Sequence, residues 1–228
     1  MKVCDVYETA EIGDLPINPA KAAGALGIKT VSYSSMTEIY EIKKETLYSR
    51  SADGFAFKTE NRFVIAVNEN SCGERKRRFT IAHELGHCVL GHACRLSDYR
   101  FPTNAEEHAA DRFAADFLAP LPVLILCGAE SAEEIKKICG ISGQAAEIRY
   151  RELVRIRRTN FLLFNENRRI ADMFSEFIER YRAVMNREVT CRYRGAPRGR
   201  EIPLFQGARQ CAWQRSPSGA FRPCSRTR

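Results

Sequence analysis

Phe79-Thr80-Ile81-Ala82-His83-Glu84-Leu85-Gly86-His87-Cys88-Val89-Leu90 is the stretch on which the reading of this chain turns. Its polar members Thr80, His83, Glu84 and His87 are spaced i, i+3, i+4, i+7, and everything between them is apolar or small, so the segment predicts a helix with one polar stripe on an otherwise buried body. A helix turns about 100° per residue, which places His83 and His87 nearly one above the other, close enough for both imidazoles to reach one ion at about 2.0–2.1 Å. Glu84 lies one step round, where it can touch a metal-bound water without ligating the metal. A buried carboxylate and two imidazoles without partners are costly, so the stripe must face a cleft, a metal, or both. His83-Glu84-Leu85-Gly86-His87 is the HExxH zinc pattern. All four histidines of the chain, His83, His87, His92 and His108, fall in this neighbourhood.

A zinc site needs a third protein ligand, and the segment from Thr103 to Leu118 supplies acids for it. Ala110, Phe113, Ala114, Phe117 and Leu118 follow helical spacing, and Pro120 and Pro122 are expected to stop that helix. Glu107 and Asp111 share a face beside the apolar stripe. One of the two can bind the metal while the other orients a ligand imidazole from behind. The acids at the start of the segment also suit capping, with Thr103 and Glu106, or Asn104 and Glu107, as the box. If Glu106 closes the box, Glu107 is left for the metal, with Glu106 and His108 as the other candidates. On a continued helix His92 would point about 180° from His83, so it is expected as a surface histidine at the helix end beyond Gly91.

Outward from this pair, the chain reads as α+β. Residues 6–26 predict a helix interrupted at Leu15-Pro16, and Thr30 to Tyr33, Gly54 to Lys58 and Arg62 to Val67 predict strands. Ser71-x-x-Glu74 is expected to cap the HExxH helix. Arg62 to Asn68 is the candidate sheet edge on which a peptide could add as a strand, or else a core strand. Residues 131–138 and 142–156 predict two helices joined by Cys139-Gly140-Ile141, a helix-turn-helix spacing with Arg149, Arg151, Arg155, Arg157 and Arg158 on the second. Residues 131–157 therefore carry a rival account, a DNA- or protein-binding regulator whose metal site is structural. Phe161 to Phe164 reads as a short strand and Ile170 to Met185 as a further amphipathic helix. The expected organisation is a peptidase-like domain over 1–128, a small helical extension over 129–185 and a basic tail over 186–228.

The net charge of +8 sits wholly in that tail, where ten arginines meet two glutamates, while residues 1–185 carry 26 basic and 26 acidic groups. The tail's scattered glycines and prolines predict disorder, either as a solvated tail with no specific role or as a weak electrostatic contact for nucleic acid or an acidic partner. Nine cysteines without a CxxC pair argue against a disulfide framework or zinc ribbon. Cys88 is expected as a buried thiol. No run of eighteen apolar residues and no signal peptide are evident, so a cytoplasmic protein without membrane association is expected.

Arg77-Arg78-Phe79-Thr80-Ile81-Ala82-His83-Glu84-Leu85-Gly86-His87, with Glu107-His108-Ala109-Ala110-Asp111-Arg112-Phe113-Ala114-Ala115-Asp116-Phe117-Leu118-Ala119-Pro120 downstream, resembles the ImmA/IrrE metallo-endopeptidases. Leu15-Pro16-Ile17-Asn18, Ile65-Ala66-Val67-Asn68 and Cys139-Gly140-Ile141-Ser142 are similar to that family as well, so the likeness covers roughly residues 10–155. It implies a zincin-like fold, Zn2+ held by His83, His87 and Glu107, and Glu84 as general base. It also implies a protein substrate, a helix-turn-helix transcriptional repressor. One departure is Ala109, which stands where many relatives carry a second glutamate and leaves Glu107 as the acid the likeness points to. Tyr99 and Arg100 lie between the two helices, and only that proximity marks them as candidates to assist the oxyanion.

Overall fold

Three strands seat the HExxH helix, in the order β1-β3-β2. β1 (Lys29–Ser32) runs parallel to β3 (Phe63–Val67), and β2 (Gly54–Lys58) runs antiparallel to it. The computed structural model describes residues 1–71, 73–98, 100–157, 159 and 165–194, with two short strands at 213–215 and 221–223; beyond residue 185 it describes backbone alone. The expected edge strand at 62–68 is thus the middle strand. Its apolar run explains why: Val64 and Ala66 point into one cluster and Ile65 and Val67 into another, so the strand is covered on both faces. β2 is the edge beside the HExxH helix, a position set by crossovers that strand composition does not report.

One face of the sheet carries α3 (Tyr33–Tyr40) and α4 (Lys44–Arg50), whose Tyr33, Met36 and Leu47 pack with Phe55 and Phe57. Neither helix was expected from periodicity. The first turn of α3 is tied down by Glu69, which accepts from the amides of Tyr33 and Ser34 at 3.0 and 3.2 Å, a cap supplied from a distant part of the chain.

The other face carries α5 (Glu74–Leu90), the HExxH helix, flanked by α1 (Val3–Thr9), α2 (Pro19–Ala25) and α6 (Asn104–Leu118). The expected capping box at Ser71 does not form: α5 starts from Gly73 without a side-chain cap, and the Ser71 hydroxyl donates to the Asn68 carbonyl at 3.3 Å instead. α6 does begin in a Thr103–Glu106 capping box. α5 and α6 pack closely at Gly86, where an added Cβ would stand 3.0 Å from the Phe113 ring and 3.3 Å from the Ala110 Cα. This close approach sets the distance between the histidines of one helix and the acids of the next.

α6 ends before Pro120, but Pro122 falls in the first turn of α7 (Leu121–Cys127), where a missing amide costs nothing, and so it starts a helix as well as following one. α8 (Ala132–Cys139) and α9 (Gly143–Ile156) form the anticipated helix pair, capped by Ser131 and Ser142. α10 (Asn165–Met173) and α11 (Ser175–Arg194) divide the expected 170–185 helix at Phe174. Within the expected tail, α11 continues to Arg194, and β4 (Trp213–Arg215) pairs antiparallel with β5 (Phe221–Pro223). The remainder of the tail, the strand expected at 161–164, and Tyr99 and Arg158 lie outside the described residues. Among the described residues no helix is long and apolar enough to cross a membrane.

Candidate metal centre

His83 and His87 project from successive turns of α5 toward α6, and their Nε2 atoms approach to 3.1 Å. Glu107 reaches the same point from the first turn of α6, with Oε2 3.2 Å from His83 Nε2 and Oε1 3.6 Å from His87 Nε2. Donor atoms about 2.0–2.1 Å from a tetrahedral ion lie about 3.3 Å from one another, and the three separations, with a different Glu107 oxygen toward each imidazole, are of that size. His83, His87 and Glu107 are the group that could hold a metal among the described residues. Glu107 is partly exposed, so solvent reaches the group from the α6 side.

The two other candidate ligands, Glu106 and His108, go elsewhere. Glu106 accepts from the Thr103 amide and from both terminal nitrogens of Arg100 at 2.6 and 2.7 Å, which holds its carboxyl far below the ordinary range. The same pair commits Arg100 to the start of α6 and away from any oxyanion. His108 is exposed on α6.

Each imidazole is held from behind by its second nitrogen. His83 Nδ1 lies 2.9 Å from Asp111 Oδ1, so a proton on Nδ1 donates to the carboxylate and leaves the Nε2 lone pair facing the metal point. His87 Nδ1 lies 3.2 Å from His92 Nδ1. Gly91 adopts the left-handed conformation at the end of α5 (φ 81°), and the His92 amide then bonds the His87 carbonyl at 2.9 Å. That turn swings His92 back onto His87, where a continued helix would have sent it away. The expected surface histidine is therefore a neighbour of the centre, and the signal that marks it is the Gly91-His92 pair directly after the helix.

Glu84 is 8% exposed and faces β2. Burial pushes its carboxyl well above the ordinary value, the Glu107 charge adds to the shift, and a hydrogen bond from the Ala56 amide opposes it. His87, 4% exposed, is lowered to about 4 by burial and by its neighbours His83 and His92, so it is a neutral imidazole at physiological pH, in the form a metal ligand needs. Cys88, one turn beyond Glu84 on α5, is buried, and its thiol is raised well above the usual value by burial and by the Glu84 charge.

The helix pair at 131–157 is built into this assembly. Arg149 is buried, donating to the Ala119 carbonyl at 2.7 Å and pairing with Asp116 and Glu152 at 2.6 and 2.7 Å. Arg157 donates to the Ala129 carbonyl. Two of the arginines that suggested DNA contact are thus holding α9 against α6 and α7.

Residues 37–151 match the family Peptidase_M78, described as the IrrE N-terminal-like domain. No curated protein matches the chain.

Proposed function

Since the chain belongs to the Peptidase_M78 family of IrrE N-terminal-like domains, we propose that it is a zinc-dependent endopeptidase that hydrolyses a peptide bond in a protein substrate, a helix-turn-helix transcriptional repressor. The observation that carries this reading is the donor triangle of His83, His87 and Glu107 with the Glu84 carboxylate beside it. Three protein donors that leave one position open are the pattern of catalytic zinc, whereas structural sites close all four. The chemistry of the donors, two imidazoles and one carboxylate, suits Zn2+.

When bound there, the ion supplies Lewis acidity and lowers the pKa of the attacking water. The chain's own residues do the rest. Asp111 and His92 fix the tautomers of His83 and His87, so both present unprotonated Nε2 atoms. Glu84, anchored by the Ala56 amide, takes the proton from the attacking water at its carboxylate and hands it to the leaving nitrogen. Its elevated affinity for a proton is what a group that must both accept and donate requires. The repressor as substrate follows the family likeness and is the finer part of the proposal.

Co-expression with helix-turn-helix repressors of the same genome tests both parts. Two repressor fragments are expected with the wild type and an intact repressor with Glu84→Gln, which should retain its metal. Cutting by Glu84→Gln at the wild-type rate sinks the assignment of the base, and an intact repressor throughout sinks the substrate.

A further inference from the structure

A trough of about 650 Å³ runs along α5 and α6 directly beyond the metal centre, with the start of α9 as its far wall. Its near end adjoins the centre through two neighbours of His83: Asp111 lines it while bonding His83, and Phe79 lines it with its ring centroid 6.2 Å from the His83 ring. The space exists because Ala114 and Ala115 of α6 and Ala145 of α9 carry only methyl groups where longer side chains would close it. Ile148 on the α9 wall is 55% exposed and Phe79 is 36% exposed, so apolar surface is left for something to cover. A volume of this size is in the range of built ligand sites, about 300–1,000 Å³, and exceeds what one small side chain fills.

The sheet edge cannot by itself hold a substrate in register. The alternate amides of β2 that face away from β3 are all engaged: Gly54 with the Ser51 hydroxyl at 3.1 Å, Ala56 with Glu84, and Lys58 with the Cys94 carbonyl at 2.8 Å. An added strand would meet carbonyls there without donors, and regular strand addition needs both. Side-chain capture has to supply the remaining grip.

We infer that the trough is the side-chain subsite of the metal centre, and that the substrate segment it takes carries one or more bulky aliphatic or aromatic residues close to the scissile bond on one side. This rests on the peptidase reading given above. Phe79 precedes His83 by four residues, about 6 Å along α5, and Arg75 at the far end by about 12 Å. An extended peptide advances about 3.3 Å per residue, so residues two to four positions from the scissile bond reach the trough. Continuity with the centre through Asp111 and Phe79 is what makes the occupant the substrate and not a separate docking partner.

The test uses the full-length, zinc-loaded protein and a fluorogenic peptide library randomised one position at a time. The wild type should favour Leu, Ile, Met or Phe over Ala and Asp by tenfold or more at one of those positions. Ala115→Trp, which fills the trough, should turn the preference toward Ala and Gly. Ile148→Glu should raise KM for the apolar peptides by tenfold or more and shift selection toward Lys, and both variants should keep their metal. Cleavage without side-chain preference, or wild-type preference in both variants, overturns the subsite. If the wild type cuts no peptide, anisotropy with Glu84→Gln and a fluorescein-labelled Leu/Phe-rich heptapeptide separates the two readings. Binding that Ile148→Glu weakens tenfold keeps the trough as a peptide site and leaves the peptidase reading to the repressor co-expression, whereas no binding overturns the subsite alone.

Discussion

Beside its amide bond to the His87 carbonyl, His92 meets the His87 ring through a 3.2 Å contact between like ring nitrogens, and such a contact requires one proton between them. When His87 Nε2 ligates, that proton belongs to His87 Nδ1, and His92 accepts. Removing such an orienting partner typically lowers metal affinity by about 10–100-fold. His92→Ala should therefore release zinc more readily by that factor in a chelator competition, and His92→Asn, whose amide oxygen can accept, should recover part of it; equal affinities in all three proteins would show that His92 is idle. Glu84 makes a second prediction, for the metal-free protein. Its folded carboxyl binds a proton more tightly than the unfolded one, which titrates near 4.5, so the folded state holds the extra proton and stability falls as pH rises through and above that value. In EDTA, Glu84→Gln should be more stable than the wild type at pH 8, by roughly 1–3 kcal/mol, the usual cost of a poorly paired buried polar group. The gap should close below about pH 4.5, and a gap that does not depend on pH would remove burial as its cause. His87 works in the opposite sense: its folded pKa of about 4 lies below the ordinary 6.5, so its contribution is present above 6.5 and is lost as pH falls toward 4.

At the scale of elements, one side chain couples α5 to two other parts of the chain. Arg78 donates to the carbonyls of Gly140 and Ile17 at 2.7 Å and of Cys139 at 3.2 Å, so it closes the C-terminus of α8 and ties the loop before α2 to the helix that carries the histidines. Arg78→Ala should cost about 2–3 kcal/mol, since three partly buried carbonyls lose a charged donor. Arg78→Lys should recover little, because a single ammonium cannot span three acceptors as a planar fork does. Urea unfolding of the three proteins measures this, and full recovery by lysine would refute the geometry. What the sequence showed at this scale follows the same logic of local versus distant causes. α5 and α6 were legible because their polar stripe, apolar body and Thr103–Glu106 box are local patterns. β2 and β3 were legible as apolar runs, but their order was not, because it depends on which crossovers the chain takes. α3 was missed because the strand expected over Thr30 to Tyr33 runs into its first residue, so its local Ser32 cap went unread, and Glu69, from beyond two strands, supplies the rest of the cap. His92 was misplaced because one left-handed glycine redirects it, and Ser71 because the helix starts from Gly73, which leaves the Ser71 hydroxyl outside the cap and donating to the Asn68 carbonyl.

At the scale of the molecule, the expected boundary near residue 128 runs through a single apolar cluster. Residues from Cys4 to Ile178 share it, with Ile135, Leu153, Phe174 and Ile178 of the C-terminal helices fully buried among Tyr7, Phe117 and Leu124. Tyr7 joins the halves: its hydroxyl donates to the Phe117 carbonyl at 2.7 Å, its ring lies 5.5 Å from that of Phe117, and the edge of Phe174 meets it at 5.2 Å. Burying each large apolar side chain stabilises by about 1.5–3 kcal/mol, so the four C-terminal side chains together represent roughly 6–12 kcal/mol. A domain of ordinary stability has about 5–15 kcal/mol in all. A fragment of residues 1–128 should therefore lack a cooperative thermal transition and a near-ultraviolet circular dichroism signal. It should also fail to hold zinc, because α6, which carries Glu107 in its first turn, loses the Arg149 anchor that fixes Asp116 and the Ala119 carbonyl at its far end. The full chain should unfold in one transition over the described core, and a native-like melt of the fragment, with zinc bound, would show that the histidine-bearing half folds alone and that the shared cluster is packing added to a finished domain.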